Sequence, residues 1–395
     1  MTEFIKKHKM TIFVLFNLLM TISMNLGHAV TPSLLTSLNM GSHVFGISFA
    51  AMCTTNFIFA LVWSNIAHTN KKTRILLISG LGYGLAQLIF AYAQSEYVIY
   101  FARLLSGVFA GGFQVGFLSY IVNEAAHEDQ ARYITYSSIV VSVGAALGFF
   151  IGGFLGDISV RLTFYVQILL SSGMGILFYL VLGPLEDIKE SFDLNVIKKS
   201  NPITIIKDAK PLIKEFTLVL LSSVLVAAMA VTLFDQSFGY YVKEAFNFLP
   251  SQFGMVKATT GVLALIFNIY LIRRKISNQR MVLTTVLIIM TVFSVLISLQ
   301  TSMWIFVIMG LIWFGSDTVL IPVMQNLFVQ NRKTPEEGNQ LAGVYNAFNM
   351  LGRILGALLT SLIYSIDPRA TFFVAGILFF LALASVIYGL LKYKD

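Results

Sequence analysis

Long runs of apolar residues recur along the whole chain and constrain its fold more than any other feature of the sequence. Each run is close to the ~20 residues that a membrane-spanning helix needs. Of the 395 residues, 57% are hydrophobic and only 12% are charged. A water-soluble core does not require so much apolar sequence, and a membrane β-barrel would show short alternating segments instead. The sequence therefore predicts an all-α integral membrane protein.

About twelve runs are long enough to span a membrane. They cover residues 10–35, 44–66, 74–93, 98–122, 133–156, 163–183, 216–242, 252–272, 281–299, 303–329, 340–366 and 372–391. A lysine-rich and acid-rich segment separates the first six runs from the last six. We therefore predict an N-terminal six-helix bundle (1–184), a cytoplasmic linker (185–215) and a C-terminal six-helix bundle (216–395).

An internal repeat supports this division. At a constant offset of 208 residues, Gly144 and Gly148 of the fifth run match Gly352 and Gly356 of the eleventh. Arg161, Thr163 and Phe164 match Arg369, Thr371 and Phe372 in the same register. With an even number of spans in each half, the two repeats are parallel and related by an axis along the membrane normal. The fold expected is twelve transmembrane helices in two parallel six-helix repeats.

The charges are distributed as in a multi-pass membrane protein with both termini in the cytoplasm. Most of the 27 lysines and arginines fall in the segments on one side, which is the positive-inside pattern. The net charge of +8 is thereby explained without a nucleic-acid partner. We expect a monomer in the cell membrane, with the lipid bilayer, protons and a small-molecule substrate as its partners.

The sequence also excludes several classes of function. The single cysteine, Cys53, excludes a disulfide framework and a cysteine-based zinc site. No phosphate-binding loop, metal-ligand cluster or catalytic triad pattern is present, so we expect no cofactor, no metal, no ATP-driven pump and no enzyme.

Two carboxylates lie deep inside apolar runs, Asp235 in the seventh and Asp317 in the tenth. A charge at membrane depth costs about 2.5–3.5 kcal/mol on insertion scales, so such residues normally face a cavity or a partner. The functional interpretation is that the other helices surround a cavity containing both carboxylates. The structural alternative ties each of them to a nearby basic residue.

Basic residues inside spans fit either interpretation. Helix spacing places Lys257 at the depth of Asp235, and Arg353 near the midplane at the depth of Asp317. We predict that the two basic residues are charge partners of the two acids, and an anionic substrate is the alternative partner for Arg353. Arg103 begins a glycine-rich run, where it either extends to the membrane surface or provides a fixed cation inside.

Several segments resemble the major facilitator superfamily, and within it the NorA-type drug:proton antiporters. RLLSGVFAGG, which starts at Arg103, resembles the fourth-helix arginine motif of these antiporters. LGFFIGG resembles their fifth-helix motif, with Phe149 in the place of the usual proline, and LGHAVTP resembles the end of their first helix. FDQSFGYY and FGSDTVLIP resemble their acid-bearing segments in the seventh and tenth helices.

The loop between the second and third runs departs from the pattern of this family. Ser64 and His68 occupy positions where the family usually has a glycine and an aspartate. The basic part survives as Lys71, Lys72 and Arg74. Since this loop commonly helps to hold one conformation closed, we expect gating to differ.

The resemblance implies proton-coupled efflux (antiport) of hydrophobic or amphiphilic small molecules or drugs by alternating access, with a role in antibiotic resistance. The first alternative is a carrier or flippase for an anionic or lipid-linked substrate, and the second is a membrane receptor. Proton coupling is expected at Asp235, Asp317 and Arg103. Substrate contacts are expected at Asn56, Asp235, Phe238, Asp317, Asn346 and Arg353. Gating and helix packing are expected at Gly144, Gly148, Gly152, Lys71, Lys72 and Arg74.

Overall fold

The computed structural model describes residues 2–186, 213, 215–274, 279–329 and 335–392. These residues form twelve long α-helices, labelled in chain order. They are α1 (Thr2–Ser37), α2 (His43–Thr69), α3 (Lys72–Ala91), α4 (Glu96–Glu124), α5 (Gln130–Ile158), α6 (Val160–Leu177), α7 (Glu215–Phe246), α8 (Pro250–Arg274), α9 (Gln279–Ser298), α10 (Met303–Val329), α11 (Pro335–Tyr364) and α12 (Ala370–Lys392).

The predicted fold class is confirmed, because each of the twelve apolar runs overlaps one of these helices and no strand occurs in the described residues. Eleven of the helices are long and apolar enough to cross a membrane. The remaining helix, α8, has 25 residues but is less apolar. The predicted linker, 185–215, lies largely outside the described residues, so the domain boundaries at 184 and 216 stay a prediction.

Loop residues define the helix ends locally. Ser159 separates α5 from α6, and its hydroxyl accepts a hydrogen bond from the Leu162 amide (3.4 Å), which satisfies one unpaired N–H of the new helix. α8 begins at Pro250, where the missing N–H costs nothing because the first helical turn has no internal acceptor for it.

Glycines allow the closest helix contacts, and the contacts repeat. Three glycines of α5 face α1. A Cβ atom would meet Thr21 at Gly144, the Ile22 carbonyl at Gly148 and the Leu26 backbone at Gly152. Gly352 and Gly356 of α11 face α7 in the same way. The internal repeat predicted from the sequence therefore reappears as two equivalent helix pairs, α1 with α5 and α7 with α11.

The chain divides into two compact units. The first contains the described residues of Met1–Met40, Ala51–Asn201 and Phe248–Gly261, which give α1, most of α2, α3 to α6 and the first part of α8. The second contains those of Gly41–Ala50, Pro202–Asn247 and Val262–Asp395, which give the first part of α2, α7, the rest of α8 and α9 to α12.

Each unit has an aromatic core. In the first, Phe13 of α1 stacks on Tyr120 of α4 with ring centroids 4.4 Å apart, and Phe178 packs edge-on against it after α6. In the second, Phe234 of α7 stacks on Trp313 of α10 at 3.7 Å. All five side chains are fully buried. Such rings contribute both buried area and preferred pair geometry, so they fix how the helices pack.

Candidate functional site

Asp235 lies at the edge of the aromatic core of the second unit. Its side chain is half-buried, between the fully buried Phe234 and the buried Gln236. Phe234 points toward α10, whereas the residues of α7 that contact α11 lie on the opposite side of the helix. Asp235 follows Phe234 by one 100° step and therefore lies between these two packed faces.

Phe238, a predicted substrate contact, lies inside this aromatic core. Its ring is fully buried, with Phe306 at 5.2 Å and Phe314 at 5.1 Å between ring centroids. Gly310 of α10 leaves room for it. Phe238 thus packs against α10 and supports the segment of α7 that carries Asp235.

Asp317 lies in α10 near the contact with α11. The residue is half-buried and its Oδ1 atom is fully buried. It is close enough to Tyr345 of α11 to interact electrostatically, and the Tyr345 hydroxyl donates to the Ile321 carbonyl of α10 (3.3 Å). Asn346, the next residue of α11, has an exposed side chain.

Arg353 lies eight residues beyond Tyr345, about 12 Å further along α11. Its guanidinium carbon lies 5.9 Å from the ring centroid of Phe49, in the first part of α2. Its Nε atom is buried and donates no hydrogen bond to any described group. The predicted pairing of Arg353 with Asp317 stays a prediction. The contact with Phe49 could not be anticipated from the sequence, because a lone phenylalanine in an apolar run carries no signal.

Arg103 is a fixed cation inside the first unit. It is only 5% exposed, which excludes the interpretation in which it extends to the membrane surface. It donates to the Thr31 hydroxyl at 3.0 Å, lies 4.0 Å from the Met52 sulfur and stacks 4.0 Å above the Phe90 ring. In the part of the chain that the structure describes, no carboxylate forms an ion pair with it.

The contact between Arg103 and Thr31 joins two of the motifs singled out in the sequence. Thr31 belongs to LGHAVTP in α1, and its own hydroxyl donates to the Gly27 carbonyl (2.7 Å). A guanidinium held by a hydroxyl, a thioether and a ring keeps its charge in an apolar setting, because arginine does not lose its proton there.

Lys257 and His28 both lie beside Phe149, the residue in the place of the proline of the family. The His28 ring stacks against Phe149 at 6.2 Å, and the Lys257 ammonium lies 5.9 Å from the same ring. Lys257 also lies 5.8 Å from the ring of Phe253. Gly254 of α8 also faces the Phe149 backbone, so this position brings residues of α1, α5 and α8 together.

Asn56 of α2 is half-buried, and its backbone lies against Gly107 and Gly111 of α4. Asp235 and Lys257 belong to different units, so their predicted pairing stays a prediction. Asn56 and Lys257 lie in the first unit, as does Arg103. Asp235, Asp317, Asn346, Phe238 and Arg353 lie in the second unit.

The basic residues at the start of α3 take three different roles. Lys71 donates to the Gly183 carbonyl (3.0 Å) after α6, and the buried Lys72 gives its backbone N–H to the Glu186 carboxylate (2.7 Å). Glu186 also accepts from the Thr73 amide at 2.9 Å. Only Arg74 has an exposed side chain.

Sequence reasoning missed Glu186, although an acid at the start of the linker was a signal. With 3% of its surface exposed, it accepts hydrogen bonds from two of the unpaired N–H groups that begin α3. It thus places a carboxylate next to the loop in which His68 replaces the aspartate of the family.

Comparisons with known proteins agree with this architecture. The sequence profile of the Major Facilitator Superfamily matches residues 12–334. The chain is 22% identical to the quinolone resistance protein NorA of Staphylococcus aureus (strain MSSA476), over 92% of each chain. It is 21% identical to multidrug resistance protein 2 of Bacillus subtilis (strain 168), over 93% of this chain and 91% of that protein.

Solved transporter structures share the fold at low sequence identity. A bacterial homologue of the human lysosomal transporter Spinster, in an inward-facing and unoccupied conformation, superposes with a TM-score of 0.78 at 11% identity, covering 97% of this chain and 96% of the other. The nucleoside transporter NupG superposes with a TM-score of 0.70 at 12% identity, covering 98% and 100%. The resemblance predicted from the motifs is thereby confirmed. With a profile that matches most of its length, the chain belongs to the Major Facilitator Superfamily and is a multi-pass membrane transporter.

Proposed function

We propose that this transporter exports hydrophobic or amphiphilic small molecules in exchange for protons. The observation that carries the proposal is the half-buried carboxylate of Asp235 at the edge of the aromatic core of α7 and α10. An ionisable residue inside a membrane span is costly to insert, so it normally faces a cavity or a partner and marks a substrate or proton pathway. The named resistance proteins among the relatives support export of drugs.

In the proposed cycle, Asp235 holds a proton when no substrate is bound and releases it when substrate binds. The two repeats then change the side to which the site is open. Each elementary charge that crosses the membrane contributes about 2.3 kcal/mol per 100 mV. Arg103 supplies a permanent positive charge in the first unit, and Asp317 is the second candidate for proton binding.

The distribution of basic residues supports a location in the cell membrane with both termini in the cytoplasm. In that orientation α1 runs outward, and the loops that contain Asn39 and Asn247 face the outside. We further infer that the protein acts as a monomer, because one chain carries both six-helix repeats.

The test is transport by purified protein in liposomes under an imposed pH gradient, with a lipophilic cationic dye as the probe. We expect the dye to move in the direction opposite to the proton flow. Asp235→Asn should abolish this movement while dye binding persists. Asp129→Asn, in an exposed turn before α5, is the matched control and should transport normally. Unchanged proton-driven transport by Asp235→Asn would remove Asp235 from the mechanism.

Arg353 favours a second candidate function, a carrier or flippase for anionic or lipid-linked molecules. Its Nε atom is buried without a hydrogen bond in the described structure, beside the ring of Phe49. A guanidinium in that state can bind a carboxylate or phosphate through two parallel hydrogen bonds. If this function is the true one, an anionic dye is carried where the cationic dye is not, and Arg353→Gln abolishes its binding without unfolding the protein.

A further inference from the structure

A small cavity opens at the surface of the first unit, between the end of α2 and the start of α3. It has a volume of about 150 Å³. Its walls are formed by Trp63, Ile66, Asn70, Arg74, Ile75 and Ile78. Pockets for drug-sized ligands usually measure about 300–1,000 Å³, so this cavity is too small to hold a transported molecule. The cavity is large enough for only part of a long, flexible ligand.

The cavity has an apolar interior and a basic end. The Trp63 indole donates its N–H to the Val108 carbonyl (2.8 Å), so its ring presents only apolar surface to the cavity. The aliphatic side chains of Ile66, Ile75 and Ile78 complete the interior. The guanidinium of Arg74 is exposed in the first turn of α3.

Arg74 heads the lipid-facing side of α3. Ile78, Leu81, Leu85 and Leu88 follow it at intervals of three or four residues, and each is between 40% and 53% exposed. Exposed apolar side chains on a spanning helix face the hydrocarbon of the bilayer, and a basic residue at the helix end lies among the headgroups. In a bilayer, Arg74 and this end of the cavity are therefore expected at the level of the lipid phosphate groups.

We propose that this cavity binds one anionic phospholipid, with its phosphate on Arg74 and the upper part of an acyl chain against Trp63 and Ile78. Arginine binds phosphate in a bidentate manner, and the apolar walls exclude a fully hydrated soluble anion. His68, exposed near the end of α2, stands where the family usually has an aspartate, and the nearby Glu186 carboxylate already accepts hydrogen bonds from the amides that begin α3. A negative charge in place of His68 would repel the lipid phosphate.

The tryptophans of the chain make the site directly observable. There are three, and besides Trp63 they are Trp304, which is 69% exposed, and Trp313, which is fully buried. In a Trp304→Phe background, Trp63 is the indole nearest to lipid. The full-length protein is placed in bilayer discs of phosphatidylcholine that contain a small fraction of brominated lipid, which quenches indole fluorescence on contact.

We expect brominated phosphatidylglycerol to quench Trp63 more than brominated phosphatidylcholine at the same fraction. Arg74→Met should reduce this preference roughly fivefold, which is the effect of about one basic residue at a membrane surface. Arg74→Lys should retain part of it. Arg280→Met, which removes an exposed arginine at the start of α9, is the matched control and should keep the full preference.

Equal quenching by the two brominated lipids would overturn the proposal, as would a preference that survives Arg74→Met. Competition by millimolar inorganic phosphate would also overturn it, because the site would then bind a soluble anion. Trp63→Phe in the same background should remove the quenched signal and thereby assign it. None of these outcomes depends on the direction or the substrate of transport.

Discussion

Asn39 and Asn247 stand 208 residues apart and share a left-handed backbone conformation, with φ of 52° and 53°. They are the two residues other than glycine with positive φ in the described chain, and each follows a helix, α1 or α7. Asparagine tolerates this conformation better than most residues, because its short side chain can hydrogen-bond locally. The repeat seen in the sequence is therefore also a repeat of backbone geometry.

The same offset relates two close helix contacts. Gly46 of α2 faces Ala357 and Ser361 of α11 in the second unit. Gly254 of α8 faces the α5 residues at 149 and 153 in the first unit, which are the equivalents of 357 and 361. Through these contacts, the beginning of α2 packs with the second unit and the beginning of α8 packs with the first.

We predict that Gly46→Ala and Gly254→Ala each destabilise the protein by about 1–3 kcal/mol, because the added methyl group would overlap backbone atoms of the facing helix. Gly173→Ala is the matched control, since nothing lies within 4 Å of a Cβ atom there. It should be neutral or stabilise by up to about 1 kcal/mol. Thermal unfolding in detergent measures all three, and equal effects would contradict the prediction.

A second prediction separates the structural role of Arg103 from its role in transport. Arg103→Met should fold with unchanged or higher thermal stability, because replacing a buried charge by an apolar side chain removes its desolvation cost. Proton-driven transport should nevertheless be lost. The measurements are thermal unfolding and dye transport in liposomes, with the exposed Arg132→Met as the control. A stable variant that transports normally would assign Arg103 to packing alone.

Thr31→Val tests the environment of the same guanidinium. It removes the 3.0 Å hydrogen bond from Arg103 and leaves a buried donor unsatisfied. We expect a loss of about 1–3 kcal/mol in the free energy of unfolding. In the Arg103→Met background the same change should cost much less, and a double-mutant cycle measures the difference. Additive effects would mean that the two side chains do not interact.

A further prediction concerns Glu186 at the start of α3. Glu186→Ala should destabilise the protein by about 1–2 kcal/mol, the usual cost of losing a helix cap. The amides of Lys72 and Thr73 should then exchange their hydrogens faster, because both donate to this carboxylate. Hydrogen exchange read by mass spectrometry checks the effect locally. Glu128→Ala, at an exposed position, should leave both measurements unchanged, and unaltered exchange at α3 in Glu186→Ala would show that the cap is dispensable.

The predicted topology can be tested by cysteine labelling. A cysteine at Gln279, at the start of α9, should react only with reagent on the cytoplasmic side, and one at Ser302, before α10, only from outside. The native Cys53 is buried and should give little background, and Cys53→Ala removes it entirely. Labelling at Gln279 from outside intact cells would invert the proposed orientation.

The sequence by itself determined the membrane class, the twelve helices and the internal repeat, because a bilayer imposes its own length and polarity on every span. It also identified Arg103 and Asp235 as exceptions, since a charge in an apolar run is visible without coordinates. Only the tertiary structure decided what those charges contact. Thr31 lies 72 residues before Arg103 in the chain and Phe49 lies far from Arg353, and neither hydroxyl nor phenyl groups carry a pattern that identifies their partners. Packing brings such residues together through glycine contacts whose register depends on the shape of both helices, and no single segment of sequence contains that information.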